Sequence, residues 1–365
     1  MLIHIFLLIY ICVVAIPVFN INRLSYSSRK IVYVILTFLP MIFIAGVRKE
    51  TVGLDTVVYK EAYYTINSKI NSWEAQNWEK GFVILNRVIG SISHINVQMF
   101  FACISAVIMF GCGIFIIRNS EDISTFFPVF LFVTLNNYFA SMVSLRQYIA
   151  LAIGINSYTI LKKDSSSIGC IKSIVIILIA IAFHKSAFVL FTIPVLFCIK
   201  RINRKTVVFI ALLGFLSYLF FNPLMDCLLR VFSGFARYKV NGNIKFEGVK
   251  FGKVYMVLLI VKIIIAVCIF TLNPSNKKNR ELYILLILNI ISIIISTLTT
   301  RVALVWRLGY YFDIMIILLL PKIIHRISGI KKMPEIVVFT SGIIYFMYLC
   351  IVNTSGCIPY LFYWQ

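Results

Sequence analysis

A few short patches of this 365-residue chain hold the side chains able to do chemistry. The stretch "VRKETVGLDTVVYKEAYY" offers Arg48 and Asp55 around a Gly53 turn, and "SLRQYIALAI" sets Arg146 beside Gln147. Further on, "FHKSAF" holds His184, and "RVALVWRLGYYFD" holds Arg301, Arg307 and Tyr311. A guanidinium clamps oxyanions at two points and stays charged at any working pH, while a carboxylate or an imidazole can take the proton of an attacking hydroxyl. The set therefore suits anion binding and proton transfer. Metal chemistry lacks such support. The nine cysteines fall mainly inside apolar runs, without metal-ligand spacing or a disulfide framework. No Gly-rich phosphate loop, CxxC pair, zinc-binding His-Glu helix or internal repeat is present, and no cofactor is expected.

The elements that must position these side chains follow from composition. With 61% hydrophobic and 13% charged residues, the chain lacks the polar surface to cover a soluble globule, so its exterior faces lipid. Crossing about 30 Å of hydrocarbon takes roughly 20 helical residues. Runs of that order, with no barrel-type alternation, predict an all-α polytopic transmembrane bundle of about twelve spans. They cover 2–19, 31–47, 97–117, 123–141, 147–161, 168–183, 187–199, 207–229, 254–272, 282–298, 302–320 and 336–352. The two runs around "FHKSAF" are read as a tight hairpin, because a single tilted helix of their joint length would be about 40 Å long.

Every second short connection is basic: "NRLSYSSRK", Arg118, Lys162 with Lys163, "KRINRK", "NKKNR" and "KIIHRISGIKK". That set belongs in the cytoplasm, which puts both termini outside and makes the first span an uncleaved signal anchor. Residues 1–365 then form a single integral membrane domain. An outer loop at 48–96 holds an interfacial helix, and a second, basic outer loop covers 230–253. The net charge of +22 is chiefly cytoplasmic anchoring, and no basic soluble domain exists to carry nucleic acid.

Each candidate has a plainer alternative. An arginine at the interface can be an anchor or a snorkelling side chain, though several ionisable groups on one face of a membrane protein point to function. Asp55 can cap the helix that "TVVYKEAYY" begins, and His184 can be a hairpin-tip residue bonded to a carbonyl. Tyr59, Tyr63, Tyr64, Trp73 and Trp78 read as an interfacial belt more than as sugar-stacking platforms. In "GFVILNRVIGSI", Phe82, Leu85, Ile89 and Ile92 share a helical stripe with Asn86 and Arg87 away from it, which predicts a helix lying on the membrane as a roof. The loop 230–253 carries Arg230, Arg237, Lys239, Lys245, Lys250 and Lys253 against Glu247, suited to an acidic substrate or to anionic headgroups.

In order along the chain, "VGLDT", "WEKGFVILNRVI", "SLRQYIALAI", "FHKSAFVL", "WRLGYYFDIMIILLLP" and a terminal "CIPYLF" resemble the EpsG-type family of Wzy-like polysaccharide polymerases. The likeness covers nearly the whole chain, with Leu54 standing where that family has a threonine before the carboxylate. It implies a metal-independent membrane glycosyltransferase of the GT-C-like class in a bacterial cytoplasmic membrane. Such an enzyme moves a growing glycan from an undecaprenyl diphosphate carrier to the next lipid-linked repeat unit on the outer face, among membrane lipids and beside a chain-length regulator. On that footing the leaving diphosphate needs cations, so Arg146, Arg301 and Arg307 would neutralise it, with Arg48, Gln147 and Tyr311 completing the substrate-binding set. Asp55 or His184 would assist the acceptor hydroxyl. On one helix, Arg301 and Arg307 would point in different directions, since six residues turn about 600°.

Two other classes fit the composition. A lipid-linked oligosaccharide flippase needs cations along a central cavity, whereas mid-span charge here is nearly limited to Lys262 and Asp313. A membrane O-acyltransferase needs a catalytic histidine near the cytoplasm, whereas His184 reads as external. The side on which Arg146 and His184 lie separates these readings. In a cysteine-free variant, single cysteines replacing Thr51, Lys185 and Gly242 are expected to react with an impermeant thiol reagent from outside, and one replacing Asn203 is not. Labelling of the Asn203 site with the Lys185 site silent would reverse the orientation.

Overall fold

The computed structural model describes residues 1–365 except 22, 70, 121–123, 224–238, 241–242, 245–252, 272–279, 303–304 and 328–332. Lipid offers no partner to a backbone N–H or C=O, and a helix supplies both from within. Nearly every described element is accordingly helical. In chain order they are α1 (Leu2–Asn20), α2 (Tyr26–Gly46), α3 (Thr56–Ser68), α4 (Trp73–Asn77), α5 (Lys80–Ser93) and α6 (Val97–Asn119). Next come α7 (Phe126–Thr134), α8 (Asn137–Val143), α9 (Leu145–Gly154), α10 (Asn156–Lys163), α11 (Ser167–Phe183), a 3₁₀ segment (Lys185–Phe191) and α12 (Thr192–Cys198). The last are α13 (Arg204–Leu219), α14 (Lys253–Thr271), α15 (Arg280–Leu298), α16 (Trp306–Asp313), α17 (Ile316–Ile327) and α18 (Met333–Val352). Of the basic loop expected at 230–253, only a two-residue antiparallel pair, Lys239–Val240 with Asn243–Ile244, and the start of α14 are described. The other basic residues of that loop lie outside the described residues.

The chain is a membrane protein by the lengths and composition of these helices. Five are long and apolar enough to cross a bilayer (α1, α2, α6, α15 and α18), and two bent pairs bring the number to seven if each is one span. α7 and α8 meet at 53°, and α16 and α17 at 43°. Asn136, left-handed at φ 70°, breaks the first pair, so the run expected as one straight span at 123–141 is kinked. The apolar run at "FHKSAF" does turn, because α11 stops at Phe183 and the 3₁₀ segment packs back against it. α1 shows what lipid exposure looks like in sequence. Leu2, Phe6, Ile9, Val13 and Ile16, spaced four, three, four and three, are exposed, while Leu7, Leu8 and Ile11 are buried.

Two compact units result: Met1–Pro194 with Ile324–Gln365, and Val195–Ile323. In the first unit α2, α6 and α9 form the centre, and Gly111 lets α6 approach α9 so closely that a Cβ there would lie 2.6 Å from the Ala152 carbonyl oxygen. At one end, basic residues of the "NRLSYSSRK" connection serve helix C-termini. Arg29 donates to Phe19 O at 2.8 Å, and Lys30 to Ile117 O at 3.3 Å, where cations favour the negative end of a helix.

At the other end, the first loop is part of the core. Lys49 N donates to Leu361 O (2.9 Å), Tyr363 N to Val47 O (2.9 Å) and Gly53 N to Gly356 O (2.8 Å), so the C-terminal tail is laid along 47–54. Gly53 sits at φ 93°, a backbone that a side chain would strain. His4 of α1 approaches Cys357 O at 3.3 Å, which gathers the N-terminal residues, the tail and the loop at one end of this unit. Arg48 fastens the arrangement. Fully buried, it donates to Ala45 O (2.7 Å) and Met142 O (3.2 Å) and lies 4.3 Å from the Phe101 ring centroid. Burial pushes its pKa down to about 10, which leaves it charged at neutral pH. Arg48→Leu removes the donors from two buried carbonyls, at about 1–3 kcal/mol each. A thermal melt of the detergent-solubilised protein is expected to fall by several degrees, with lower membrane abundance; an unchanged melt would show the clamp to be dispensable.

Candidate functional site

Arg146 stands in the first turn of α9, where Ser144 both ends α8 and begins α9. Its Nη1 donates to Glu79 Oε2 at 2.8 Å, and its guanidinium carbon lies 4.2 Å from the Trp78 ring centroid. Trp78 and Glu79 form the turn between α4 and α5. Glu79 occupies the N-cap of α5 without capping it, because its carboxylate is directed elsewhere: Oε1 accepts the Lys185 N–H at 3.2 Å. One carboxylate thus ties the start of α9 to the turn after α11. Both partners are largely out of water, with side-chain exposures of 22% for Arg146 and 11% for Glu79. The Arg146 Nε is buried with no partner among the described residues, so the planar fork is only partly used.

Tyr59, one turn into α3, closes this group. Burial raises its phenol above the ordinary pKa, while the Arg146 charge and hydrogen bonds from the Arg146 side chain and main chain pull the other way. Its ring packs edge-on against Trp78 at 5.8 Å and Phe82 at 6.0 Å. Tyr59 and Tyr63 are therefore interior residues and not belt residues; Tyr63 stacks on Phe100 at 4.3 Å. Trp73, exposed, fits the belt expectation.

Asp55, four residues before Tyr59 in the chain, also acts electrostatically on that phenol, in the direction that raises it. It occupies the N-cap position of α3, yet its side chain makes no capping hydrogen bond, so the expected alternative of a helix cap is not what the carboxylate does. His184 is at the turn that Glu79 holds. Its Nδ1 accepts the Ser186 N–H at 3.3 Å and lies 2.6 Å from Ser186 Oγ, so the neutral ring carries its proton on Nε2. Gln147, next to Arg146 in α9, is buried. Arg48, as described above, is a structural clamp whose guanidinium is enclosed.

In the second unit, Arg301 and Arg307 do not share a helix. Arg301 follows the end of α15, 5.0 Å from the Tyr218 ring centroid, while Arg307 is in α16, 5.7 Å from that of Trp306. Both arginines are exposed and Tyr311 is fully buried. Lys262 is spoken for inside this unit: its Nζ lies 2.6 Å from Asp313 Oδ1 and 3.0 Å from Ser296 Oγ, and Ser292 Oγ bonds the same carboxylate.

The residue that sequence reading passed over is Glu79. Its available signal was a lone carboxylate wedged between Trp78 and Lys80 at the head of an amphipathic helix. That helix, α5, also packs differently from expectation. Asn86 is buried, donating to Phe82 O at 2.7 Å, and Ile84, Val88 and Ile92 form the exposed apolar stripe instead. Close by the first loop, a cleft of about 190 Å³ opens between Lys49, Lys60, Gln98 and Tyr363.

A family model described as the EpsG family matches residues 31–362. No curated protein and no solved structure matches the chain.

The uncapped carboxylate of Asp55 separates two roles by experiment. Asp55→Asn is expected to leave the melting temperature unchanged, since there is no cap to lose, and to cut polymer synthesis by about a hundredfold or more if the carboxylate acts on substrate. Full synthesis by the variant would remove Asp55 from the chemistry.

Proposed function

Because that match spans almost the whole chain, the protein belongs to the EpsG family of Wzy-like polysaccharide polymerases, and on that premise we propose that it joins undecaprenyl-diphosphate-linked repeat units on the outer face of a bacterial cytoplasmic membrane. The family makes it a polymerase-type membrane glycosyltransferase; the carrier, the side and the residue roles are the proposal. One observation carries it: a stacked, largely buried guanidinium, Arg146, held within one cluster with a proton-bearing turn at His184 and an uncommitted carboxylate at Asp55.

The chemistry needs little else from the protein. The acceptor hydroxyl oxygen attacks the anomeric carbon, the bond from that carbon to the diphosphate oxygen breaks with its electron pair going to the phosphate, and the hydroxyl proton passes to a base. Arg146 neutralises the departing diphosphate through its unused donors, and Trp78 and Tyr59 fix the plane in which they point. Asp55 orients the acceptor hydroxyl and takes its proton. Arg301 and Arg307 are assigned to phosphate contact in the second unit. Both substrates are lipids, so the cluster must open at headgroup depth, and the exposed stripe of α5 suits a helix lying at that depth. Under this reading the bent pairs and shorter apolar helices complete a GT-C-like bundle of about twelve spans, with a chain-length regulator as partner. A flippase is less well supported, because Lys262 is neutralised within its own unit and does not contribute a free cation to a central cavity.

A deletion strain is expected to display single repeat units where the wild type displays a glycan ladder on a gel. Complementation with Arg146→Lys keeps the charge but loses the fork and the stacking plane, so the ladder should weaken by about a hundredfold at normal protein level. An unaltered ladder from the deletion strain would overturn the polymerase reading; an unaltered ladder with Arg146→Lys would overturn only the phosphate role.

A further inference from the structure

We infer that Glu79 is a specificity-determining residue: it occupies Arg146 in the resting site and yields it only to a multiply charged phosphate. This inference rests on the reading of Arg146 as the diphosphate subsite. The problem it solves is physical. A guanidinium at headgroup depth and open to the bilayer meets anionic phospholipids, each with one phosphodiester charge, at far higher concentration than any carrier diphosphate. A bare arginine there would be occupied by bulk lipid.

The geometry supplies an internal competitor. Glu79 Oε2 holds Arg146 Nη1 at 2.8 Å, and the carboxylate is kept in place by a second bond, Oε1 to the Lys185 N–H at 3.2 Å. With 11% of its side chain exposed, it has little solvent to relax into. A monoanion offers Arg146 no more charge than Glu79 already does, and in addition loses the tethering. A diphosphate carries more charge and can engage several donors of the fork, including the buried Nε that no described residue partners. The threshold set by Glu79 therefore falls between the two. Displacement of Oε2 leaves Oε1 on the Lys185 amide, so the turn bearing His184 keeps its anchor while the arginine is handed over.

The test uses purified protein in nanodiscs, with Trp78, whose ring stacks on Arg146, as fluorescent reporter. The wild type is expected to respond to inorganic pyrophosphate at concentrations at least about tenfold below those of dimethyl phosphate, with Trp78→Phe removing the response. In Glu79→Gln, which keeps two hydrogen-bonding atoms but not the charge, both ligands should bind more tightly and the preference should shrink. Replacing phosphatidylcholine with phosphatidylglycerol should then occupy the variant's site and blunt its pyrophosphate response, while the wild type and Glu79→Asp stay insensitive. Equal responses of the wild type to both phosphates would overturn the inference without any variant. So would a Glu79→Gln protein as indifferent to phosphatidylglycerol as the wild type. Should the wild type discriminate as described yet fail to extend lipid-linked glycans in the same discs, the polymerase reading fails and the selectivity stands.

Discussion

A cation removed from water must be neutralised by its own chain, and the means of neutralisation sorts this protein's cations into kinds. Arg48 is held by two main-chain carbonyls and a ring face, with its Nε buried and unpartnered among the described residues. Nothing can displace those partners without unfolding the end of α2, so Arg48 builds structure. Arg29 and Lys30 are spent on helix C-termini in the same sense. Arg146 differs, because its partner is a carboxylate on a side chain, and a stronger anion can take that place. Lys262 has a carboxylate too, but only 2% of its side chain is exposed against 22% for Arg146, so an outside anion has less access to it.

The same constraint explains why the polar first loop is no floppy excursion. Its backbone groups between Val47 and Leu54 are matched to the C-terminal tail, and α3 behind it sinks Tyr59, Ala62, Tyr63 and Ile66 into α5 and α6. Asp55 is thereby held at a defined place, with its carboxylate left over. Rigid supports on both sides would matter for glycosyl transfer, since a loosely held acid–base group forfeits much of its effect.

Much of this could be read from the sequence. Hydropathy fixes the solvent, and six short motifs in order carry the family, because both depend on local composition. The turn at His184 was legible as well, from three polar residues in an overlong apolar run. What stayed hidden was set at long range or by unmarked breaks. The Arg146–Glu79 pair joins positions 67 residues apart, and the Tyr360–Ile44 bond joins positions 316 apart. α8 begins after Asn136 with neither proline nor glycine at the break, since asparagine tolerates the left-handed region well enough to stand in. Asn86 was placed on the wrong side of α5 because a buried amide can satisfy its donor on the carbonyl one turn back, a solution invisible to a polar-or-apolar pattern.

The two acid–base candidates near Arg146 are distinguished by what their lone pairs already do. His184 commits Nδ1 to the Ser186 N–H, and that commitment places the neutral ring's proton on Nε2. Under the proposed reading, an N–H at that position would serve the oxygen that gathers negative charge on the leaving group. The Asp55 carboxylate makes no capping bond, and on the same reading its acceptor oxygens would serve the hydroxyl that must lose a proton. Glu79 is unsuited to that second task for as long as Oε2 is bonded to Arg146 and Oε1 to the Lys185 N–H, because both of its oxygens are already occupied. Under the proposed reading, His184 falls to the leaving side and Asp55 to the attacking side of one displacement, with hydrogen-bond direction as the support for that division.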